Sequence, residues 1–341
     1  MCNTLTNFEK SNTMGITIKF EFHLHISRVE KGMQSSKQQT DSTMNEKGFL
    51  ATAKGIAEKL RPTLSPSTIK NYLTALRSLK EYLGEDIAVN QLDRQTFKGF
   101  EKWLLQREVC LNTISCYMRS LRSLLRKMKG KVGIEAFDSV YTGKAKTEKR
   151  AVGASDIIRL KSISLKPGST ICQARDMFLF SFYALGMPFV DMAFLRKSQI
   201  NNERLVYLRH KTGQRISVRL EPCMTEIIRR YQTDHNDYVF PIINTVDPDK
   251  AYKEYHQKLV GYNRALKSLS KKAGISANLT SYTPRHTWAS LAYSYNVDLP
   301  VISKALGHAN PQTTMTYIRQ INDARLEDAN HGILERLSHH I

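Results

Sequence analysis

Apolar side chains recur at three- and four-residue intervals over residues 49–130, and this period dictates amphipathic helices in that part of the chain. The first clear helix follows Ser65-Pro66-Ser67, a capping residue with proline in the first turn, and ends near Gly84. Its apolar residues are Ile69, Tyr72, Leu73, Leu76, Leu79 and Leu83. A second helix is predicted around residues 97–104 and a third after Asn112. We therefore expect a helical domain over residues 49–130.

The pattern breaks over residues 131–150, where glycines and a charged run replace apolar residues, as is typical of an exposed linker. Helical periodicity returns at about 155–164, 171–185, 222–232, 250–273 and 284–296. Two β-rich runs, residues 205–208 and 216–220, flank a turn that contains Gly213, which predicts a hairpin. The second domain, residues 151–325, is therefore expected to be mainly α with a small antiparallel sheet.

Residues 1–48 are polar, apart from an alternating run at 16–22 that fits one strand. A loosely ordered extension and an accessory strand or arm both agree with this composition. The most apolar stretch, residues 177–190, is shorter than the roughly 18 to 20 residues that a membrane span needs, so we predict a buried helix there.

Positive charge is concentrated in the two predicted domains. The chain carries 51 Lys and Arg residues against 31 Asp and Glu, a net charge of +20. Residues 1–48 contribute +1, residues 49–150 contribute +10 and residues 151–341 contribute +9. Two basic domains favour a protein that encloses a polyanion over one that trails a basic arm.

The cysteines and the N-terminus indicate a cytoplasmic chain with free thiols. The five cysteines are odd in number and form no C-x-x-C pair, and the N-terminus lacks the pattern of a secretory signal. No cluster has the spacing of a metal site or of a nucleotide-phosphate loop, so we expect no metal and no cofactor.

A basic face is predicted on the third helix of the N-terminal domain. Arg119, Arg122, Arg126 and Lys127 lie away from its apolar stripe, and no acidic residue occurs over residues 111–134. Solvated helices usually carry acids that pair with their cations. These four side chains are therefore candidate contacts to DNA phosphates, with a solvated basic face as the alternative.

Four short features of the C-terminal half carry residues that could take part in catalysis. They are Lys211 in the hairpin turn, the segment Tyr282-Thr283-Pro284-Arg285-His286-Thr287-Trp288-Ala289, the tripeptide Leu306-Gly307-His308, and Tyr317. Each alone has an ordinary structural explanation, such as a solvated turn or a helix end. Their spacing is more specific, because Arg285 and His308 are 23 residues apart and Tyr317 follows His308 by nine.

In this order and spacing, the motifs resemble the tyrosine recombinase or phage integrase family. The resemblance rests on R-H-T-x-A at Arg285, L-G-H at His308 and the tyrosine at 317, and it spans roughly residues 50–325. Residues 182–193 are similar to the branch found on mobile elements and among DNA invertases. The resemblance implies a SAM-like, helical core-binding domain over residues 49–130 and an α+β catalytic domain over residues 151–325.

The resemblance also implies a mechanism that needs neither metal nor cofactor. Tyr317 would attack the scissile phosphate and leave a 3′-phosphotyrosine. Arg285 and His308 would stabilise the charge that develops on the phosphate oxygens. Lys211 would protonate the leaving 5′-oxygen. Tyr282 stands where the family most often carries histidine, and its hydroxyl can still donate a hydrogen bond.

One position departs from the family pattern. Pro188 stands where the family carries its first catalytic arginine, and loss of such a donor typically costs about 10² to 10³ in rate. Arg175 or Arg196, at either end of the same segment, could fold back to replace it. We expect Asp191 to orient a neighbouring cation.

The resemblance predicts a site-specific DNA recombinase for integration, excision or inversion. Its expected partners are double-stranded DNA with specific recombination sites, three further copies of itself in a homo-tetramer, and accessory DNA-bending proteins, in the bacterial cytoplasm and nucleoid. The tail, residues 326–341, is expected either to exchange between protomers or to pack on its own domain. Two alternatives stay open: a catalytically impaired DNA-binding paralogue of the same fold, and a type IB topoisomerase-like enzyme.

Overall fold

The computed structural model describes residues 48–128, 134–147, 150–232, 237–308, 310, 312–318, 330–331 and 334–335. The chain divides into two compact units, Met1–Lys146 and Thr147–Ile341. The division falls within the interval 131–150, where the sequence predicts a linker. The predicted strand at 16–22 and most of the predicted tail at 326–341 lie outside the described residues.

The described part of the first unit is helical, as predicted. Its helices are α1 Phe49–Lys59, α2 Pro66–Leu83, α3 Arg94–Gln106 and α4 Leu111–Lys127, with 3-10 turns at Val89–Gln91 and Ile134–Phe137. The Ser65 hydroxyl caps α2 by accepting a hydrogen bond from the Thr68 N–H (3.2 Å), and the helix ends at Gly84. Helix α4 begins two residues earlier than predicted, because Cys110 rather than Asn112 precedes its first turn.

The apolar faces of these helices meet in one core. Its largest fully buried side chains include Phe49, Ile69, Leu79, Phe97, Phe100, Leu104, Ile114 and Met118. Helix α4 packs on α2, where the Tyr72 hydroxyl is 2.8 Å from Ser123 Oγ. The apolar period of the sequence therefore determines which face of each helix is buried.

The described part of the second unit is mainly helical. Its helices are α5 Ala154–Ser162, α6 Thr170–Tyr183, α7 Phe189–Ala193, α8 Pro222–Tyr231, α9 Pro248–Lys272, α10 Thr283–Ser294, α11 Leu299–Leu306 and α12 Gln312–Met315. Helix α6 contacts α5, α8, α9 and α10, and it buries Met177, Phe178 and Phe180 among them. The five predicted helices are present, and the additional helices are short.

A three-stranded antiparallel sheet completes this unit. Its strands are β1 Ile200–Asn201, β2 Arg204–Leu208 and β3 Arg215–Arg219, in the order β1-β2-β3. In the predicted hairpin, Leu205 pairs with Val218 and Tyr207 with Ile216, all four of which are buried. The edge strand β1 escaped prediction because two residues show no periodicity.

The prediction of one buried helix over residues 177–190 is wrong. Helix α6 ends at Tyr183, Leu185 and Gly186 both have positive φ (59° and 71°), and α7 starts after Pro188. The break is held by the Ser181 hydroxyl, which donates to the Met187 carbonyl (2.6 Å). No helix in the described ranges is long and apolar enough to cross a membrane.

Candidate active site

Arg285 lies in the first turn of α10 with only 2 % of its surface exposed. Its Nη1 donates to the Gly186 carbonyl (3.0 Å), and its Nη2 donates to the Leu306 carbonyl and lies 3.0 Å from His308 Nε2. Its Nε has no hydrogen-bond partner among the described residues. Burial, and then the charge of Arg209, lower the pKa of Arg285 to about 10, so the guanidinium stays charged at neutral pH. A buried cation with a spare donor is suited to an anionic ligand.

Gly186 determines where Arg285 can lie. It occupies the turn between α6 and α7 at φ +71°, and a Cβ there would come within 2.7 Å of the Arg285 Cα. The backbone of this turn therefore approaches α10 more closely than any side chain would permit. The approach is what brings the Gly186 carbonyl onto the guanidinium.

Gly307 ends α11 in the left-handed conformation, with φ +64° and ψ +47°. After it the chain reverses, and the His308 N–H donates back to the Ser303 carbonyl (3.0 Å). A Cβ on Gly307 would lie 2.9 Å from Ile216 Cδ1 and 3.1 Å from Arg209 Cγ. This glycine leaves the Leu306 carbonyl free to accept hydrogen bonds from outside its own helix.

His308 is neutral, and its neighbours set its tautomer. The Arg285 guanidinium can only donate, so His308 Nε2 accepts; Nδ1, 2.9 Å from Thr314 Oγ1, therefore carries the proton. Burial, and then the positive charges of Arg285, Arg209 and Lys211, lower the pKa of His308 to about 4. At neutral pH the imidazole therefore donates to Thr314.

Tyr317 follows α12 and lies against these groups. The centre of its ring is 5.1 Å from that of His308 and 4.7 Å from that of His286, and the Arg285 Cζ is 5.3 Å from it. The Ser290 hydroxyl donates to the Tyr317 carbonyl (3.1 Å) and holds the backbone there. The structure thus brings Tyr317, Arg285 and His308 together.

Lys211 and Tyr282 border the same site. Lys211 is exposed in the turn between β2 and β3, and its charge is near enough to His308 to help lower the pKa of the imidazole. Tyr282 is the N-cap residue of α10 and is 51 % exposed. Its partial burial, and then the nearby Tyr317, raise the pKa of Tyr282.

A second buried guanidinium, absent from the motif-based prediction, belongs to Arg209, which is only 7 % exposed. Its Nη1 donates to the Leu306 carbonyl, the same oxygen that accepts from Arg285. Its Nε lies 2.7 Å from Asp191 Oδ2, so Asp191 does contact a cation, as expected. Asp191 Oδ1 also accepts from the His210 N–H (2.8 Å).

The strand period gives a signal for Arg209 that the motif comparison ignored. Side chains alternate between the two faces of a strand, and Leu205 and Tyr207 are the buried residues of β2. Arg209 is the next residue in that series, and so takes the inward direction. An inward-facing charge at the end of a strand is expensive unless it is paired or functional.

Neither Arg175 nor Arg196, the two possible replacements for the missing arginine, lies in the cluster around Arg285. Pro188 is the N-cap residue of α7 and offers no donor. Arg175 Nε donates to Asp176 (2.9 Å), its neighbour on α6. Arg196 is half exposed and lies 3.9 Å from Asp237. Both guanidinium groups therefore have partners outside the cluster around Arg285.

The candidate DNA contacts lie on α4 in the first unit. Arg119, Arg126 and Lys127 are exposed and Arg122 is partly buried. None of the four forms an ion pair with a described residue of this unit, whereas Arg61, Lys98 and Arg107 all do. The Arg119 Nε makes only a local hydrogen bond, to the Ser115 carbonyl (3.2 Å).

We expect Gly186→Ala to lower the free energy of unfolding of the second unit by about 1 kcal/mol or more, because the new Cβ meets α10 and the left-handed φ is strained. Gly261→Ala is the matched control, since that glycine lies inside α9 with no neighbouring atom within 4 Å. It should be neutral or stabilising by up to about 1 kcal/mol. Urea unfolding measures both, and equal effects would contradict the close approach at Gly186.

The imidazole of His308 should titrate near pH 4 with Nδ1 protonated in its neutral form. Ring ¹⁵N shifts measure both properties, and His308→Gln identifies the signal. Because this folded-state pKa lies below the ordinary 6.5, the unfolded state binds more protons between the two values, and the contribution of His308 to stability is lost as the pH falls from 6.5 to 4. A midpoint at or above 6.5 would contradict the assignment.

Two family models match the chain. The phage integrase SAM-like domain matches residues 48–131, and the phage integrase family matches residues 159–323. Tyrosine recombinase XerD of Listeria monocytogenes serotype 4b is 26 % identical over 293 residues, covering 78 % of this chain and 91 % of the relative. Transposase A from transposon Tn554 of Staphylococcus aureus strain Mu50 is 23 % identical over 328 residues, covering 81 % and 88 %.

Solved structures share the fold at lower identity. A λ integrase dimer bound to a COC′ core site has a TM-score of 0.61 at 13 % identity, covering 81 % of this chain and 98 % of that one. The Tn1549 transposon integrase in complex with circular intermediate DNA has a TM-score of 0.59 at 11 % identity, covering 85 % and 100 %. Since the two family models together match most of the residues, the chain belongs to the phage integrase family of tyrosine recombinases.

Proposed function

We propose that this chain is a site-specific DNA recombinase that cuts and rejoins DNA through a covalent phosphotyrosine at Tyr317. The observation that carries the proposal is the buried Arg285 guanidinium, whose Nε is unpartnered among the described residues and whose Cζ lies 5.3 Å from the Tyr317 ring. A nucleophile beside a fixed cation is what phosphoryl transfer requires.

In the proposed reaction, the Tyr317 hydroxyl releases its proton to solvent, its oxygen bonds to the scissile phosphorus, and the bond to the 5′-oxygen breaks. The energy of the phosphodiester is kept in the 3′-phosphotyrosine, so the free 5′-hydroxyl of a partner strand can reverse the step. Arg285 stabilises the charge on the non-bridging oxygens as a planar, permanently charged donor. Lys211, exposed in the hairpin turn, delivers the proton to the leaving 5′-oxygen.

His308 and Tyr282 have supporting roles in this scheme. Neutral His308 fixes one Nη of Arg285 by accepting from it, and its own orientation is set by Thr314. Tyr282 offers its hydroxyl to the phosphate in the place of the histidine that is usual in the family. Tyr282 is half exposed at the start of α10, where a large ligand can approach it.

DNA binding is proposed for both units, with residues 49–130 and 151–325 as the two domains and residues 131–150 as their linker. Arg119, Arg122, Arg126 and Lys127 are the proposed phosphate contacts of the first. Structures of similar fold are described as a λ integrase tetramer bound to a Holliday junction and as a λ integrase dimer bound to a COC′ core site. By analogy, we propose a homo-tetramer on specific sites, acting in integration, excision or inversion.

The nucleophile is tested with a pool of nicked duplexes that carry randomised sequence around the nick. Cleavage a few nucleotides from the nick releases a short fragment and traps the enzyme on DNA as an adduct that survives detergent. We expect an adduct with the wild type and with Tyr295→Phe, a control that removes an exposed phenol of the same unit, but not with Tyr317→Phe.

The outcomes of this trapping experiment separate the alternatives. An adduct that persists in Tyr317→Phe would contradict the assignment of Tyr317 as the nucleophile. Tight DNA binding by the wild type without any adduct would indicate a catalytically impaired paralogue. Relaxation of any supercoiled plasmid, without sequence preference among the trapped duplexes, would indicate a topoisomerase.

The basic face is tested by the salt dependence of DNA affinity. Changing Arg119, Arg122 and Arg126 together to Ala should reduce the slope of log K against log salt by about one for each phosphate that the protein no longer neutralises. The control is Arg61→Ala with Arg107→Ala, because both arginines already pair with carboxylates of the same unit. If the triple variant keeps the wild-type slope, these arginines do not contact phosphates and the basic face of α4 is a solvated surface.

A further inference from the structure

We propose that Arg209 is a catalytic residue that stabilises the reacting phosphate and takes the place of the arginine missing at Pro188. The inference rests on the proposed function, since it assigns a further group to the same reaction. Arg209 and Arg285 are both buried and share one acceptor. Their positive charges repel each other more strongly there than they would in water.

Arg209 and Arg285 converge on one atom. Both guanidinium groups donate to the Leu306 carbonyl, Arg209 through Nη1 and Arg285 through Nη2. Burial, and then the charge of Arg209, lower the pKa of Arg285. A fold does not gain stability from such a pair, so its presence points to an anion that both groups bind.

Asp191 offsets only part of this charge. Its Oδ2 forms an ion pair with Arg209 Nε at 2.7 Å, and its Oδ1 accepts from the His210 N–H (2.8 Å). With His308 neutral, the buried groups around the Leu306 carbonyl sum to one positive charge: two guanidiniums against one carboxylate. A phosphodiester carries one negative charge, and its five-coordinate transition state carries more.

The hydrogen bonds of Arg209 leave one edge of the guanidinium available. Nε faces Asp191 and Nη1 faces Leu306, whereas Nη2 makes no hydrogen bond with a described residue. In Arg285 the nitrogen without a hydrogen-bond partner among the described residues is Nε, which is buried. Each arginine therefore keeps one donor for a ligand while its other nitrogens are anchored to the protein.

Neighbouring residues fix Arg209 in this orientation. Gly307 packs against its stem, since a Cβ there would lie 3.1 Å from Arg209 Cγ, and Asp191 holds its Nε. Lys211 follows Arg209 by two residues, so the hairpin that carries the proposed acid also carries the proposed charge-stabilising arginine. We therefore assign Asp191 as a positioning residue that acts through Arg209.

The test measures single-turnover cleavage of a duplex recovered from the trapping experiment. Its scissile position carries either the natural phosphate or a neutral methylphosphonate, which lacks one charged non-bridging oxygen. We expect Arg209→Ala and Arg209→Lys to slow cleavage of the phosphate by about 10² to 10³. The loss on the methylphosphonate should be at least tenfold smaller, because the charge that Arg209 stabilises is gone. Arg204→Ala removes an exposed arginine at the start of β2 and should cleave both substrates at wild-type rates.

Arg209→Lys keeps a cation beside the buried carboxylate and guards against misfolding of Arg209→Ala, and unfolding temperature and duplex affinity are measured for both. Folded variants that cleave within threefold of wild type would overturn the proposal. Equal losses of rate on the two substrates would indicate a structural role and would also overturn the proposal. Failure of both variants to fold would overturn it as well. If the wild type itself forms no adduct, the proposed function fails instead, and the two failures are distinguishable.

Discussion

The Leu306 carbonyl accepts hydrogen bonds from both Arg209 and Arg285, and the rest of the site depends on this shared acceptor. A carbonyl inside a helix is committed to its own backbone, so the acceptor must come from a helix end. Gly307 supplies that end by turning the chain in a left-handed conformation immediately after Leu306. The Leu-Gly-His motif thus binds two guanidinium groups through the Leu306 carbonyl and also places His308 beside Arg285.

A second backbone carbonyl, that of Gly186, accepts a hydrogen bond from Arg285 because the backbone approaches closely there. The turn at Gly186 brings a second carbonyl to the guanidinium, and the turn exists only because α6 stops at Tyr183. Carbonyls that follow α6 and end α11 therefore both accept hydrogen bonds from Arg285. Arg209 is held by the α11 carbonyl and by Asp191. Tyr317 and the neutral His308 lie against Arg285, and the protein holds both guanidinium groups in place before any ligand binds. Fixed charge of this kind lowers a barrier because it does not have to be reorganised during the reaction.

Much of this could be predicted from the sequence. Apolar period predicted the helices of both units and the hairpin, because local propensity and burial agree there, and the cap at Ser65 has the geometry that its sequence implies. The resemblance carried by the order and spacing of Arg285, His308 and Tyr317 implied that they share one site. The short motifs did not reveal Arg209, which follows β2 directly and lies outside all of them. Its inward direction follows only from the strand period of Leu205 and Tyr207.

Arg175 and Arg196 were possible replacements because they lie near Pro188 in the sequence. A cation can reach a site from any element that the fold brings there, however, and these two pair elsewhere. Asp191 was the better guide, since a buried carboxylate needs a cation and its partner lies 18 residues further along the chain.

The most direct test of the site is to find the atom that bonds to DNA. Trypsin digestion of the trapped adduct, followed by mass spectrometry, should place the nucleotide on the peptide of residues 305–319, whose single tyrosine is Tyr317. Attachment to the peptide of residues 273–285, whose single tyrosine is Tyr282, would contradict the assignment of the nucleophile.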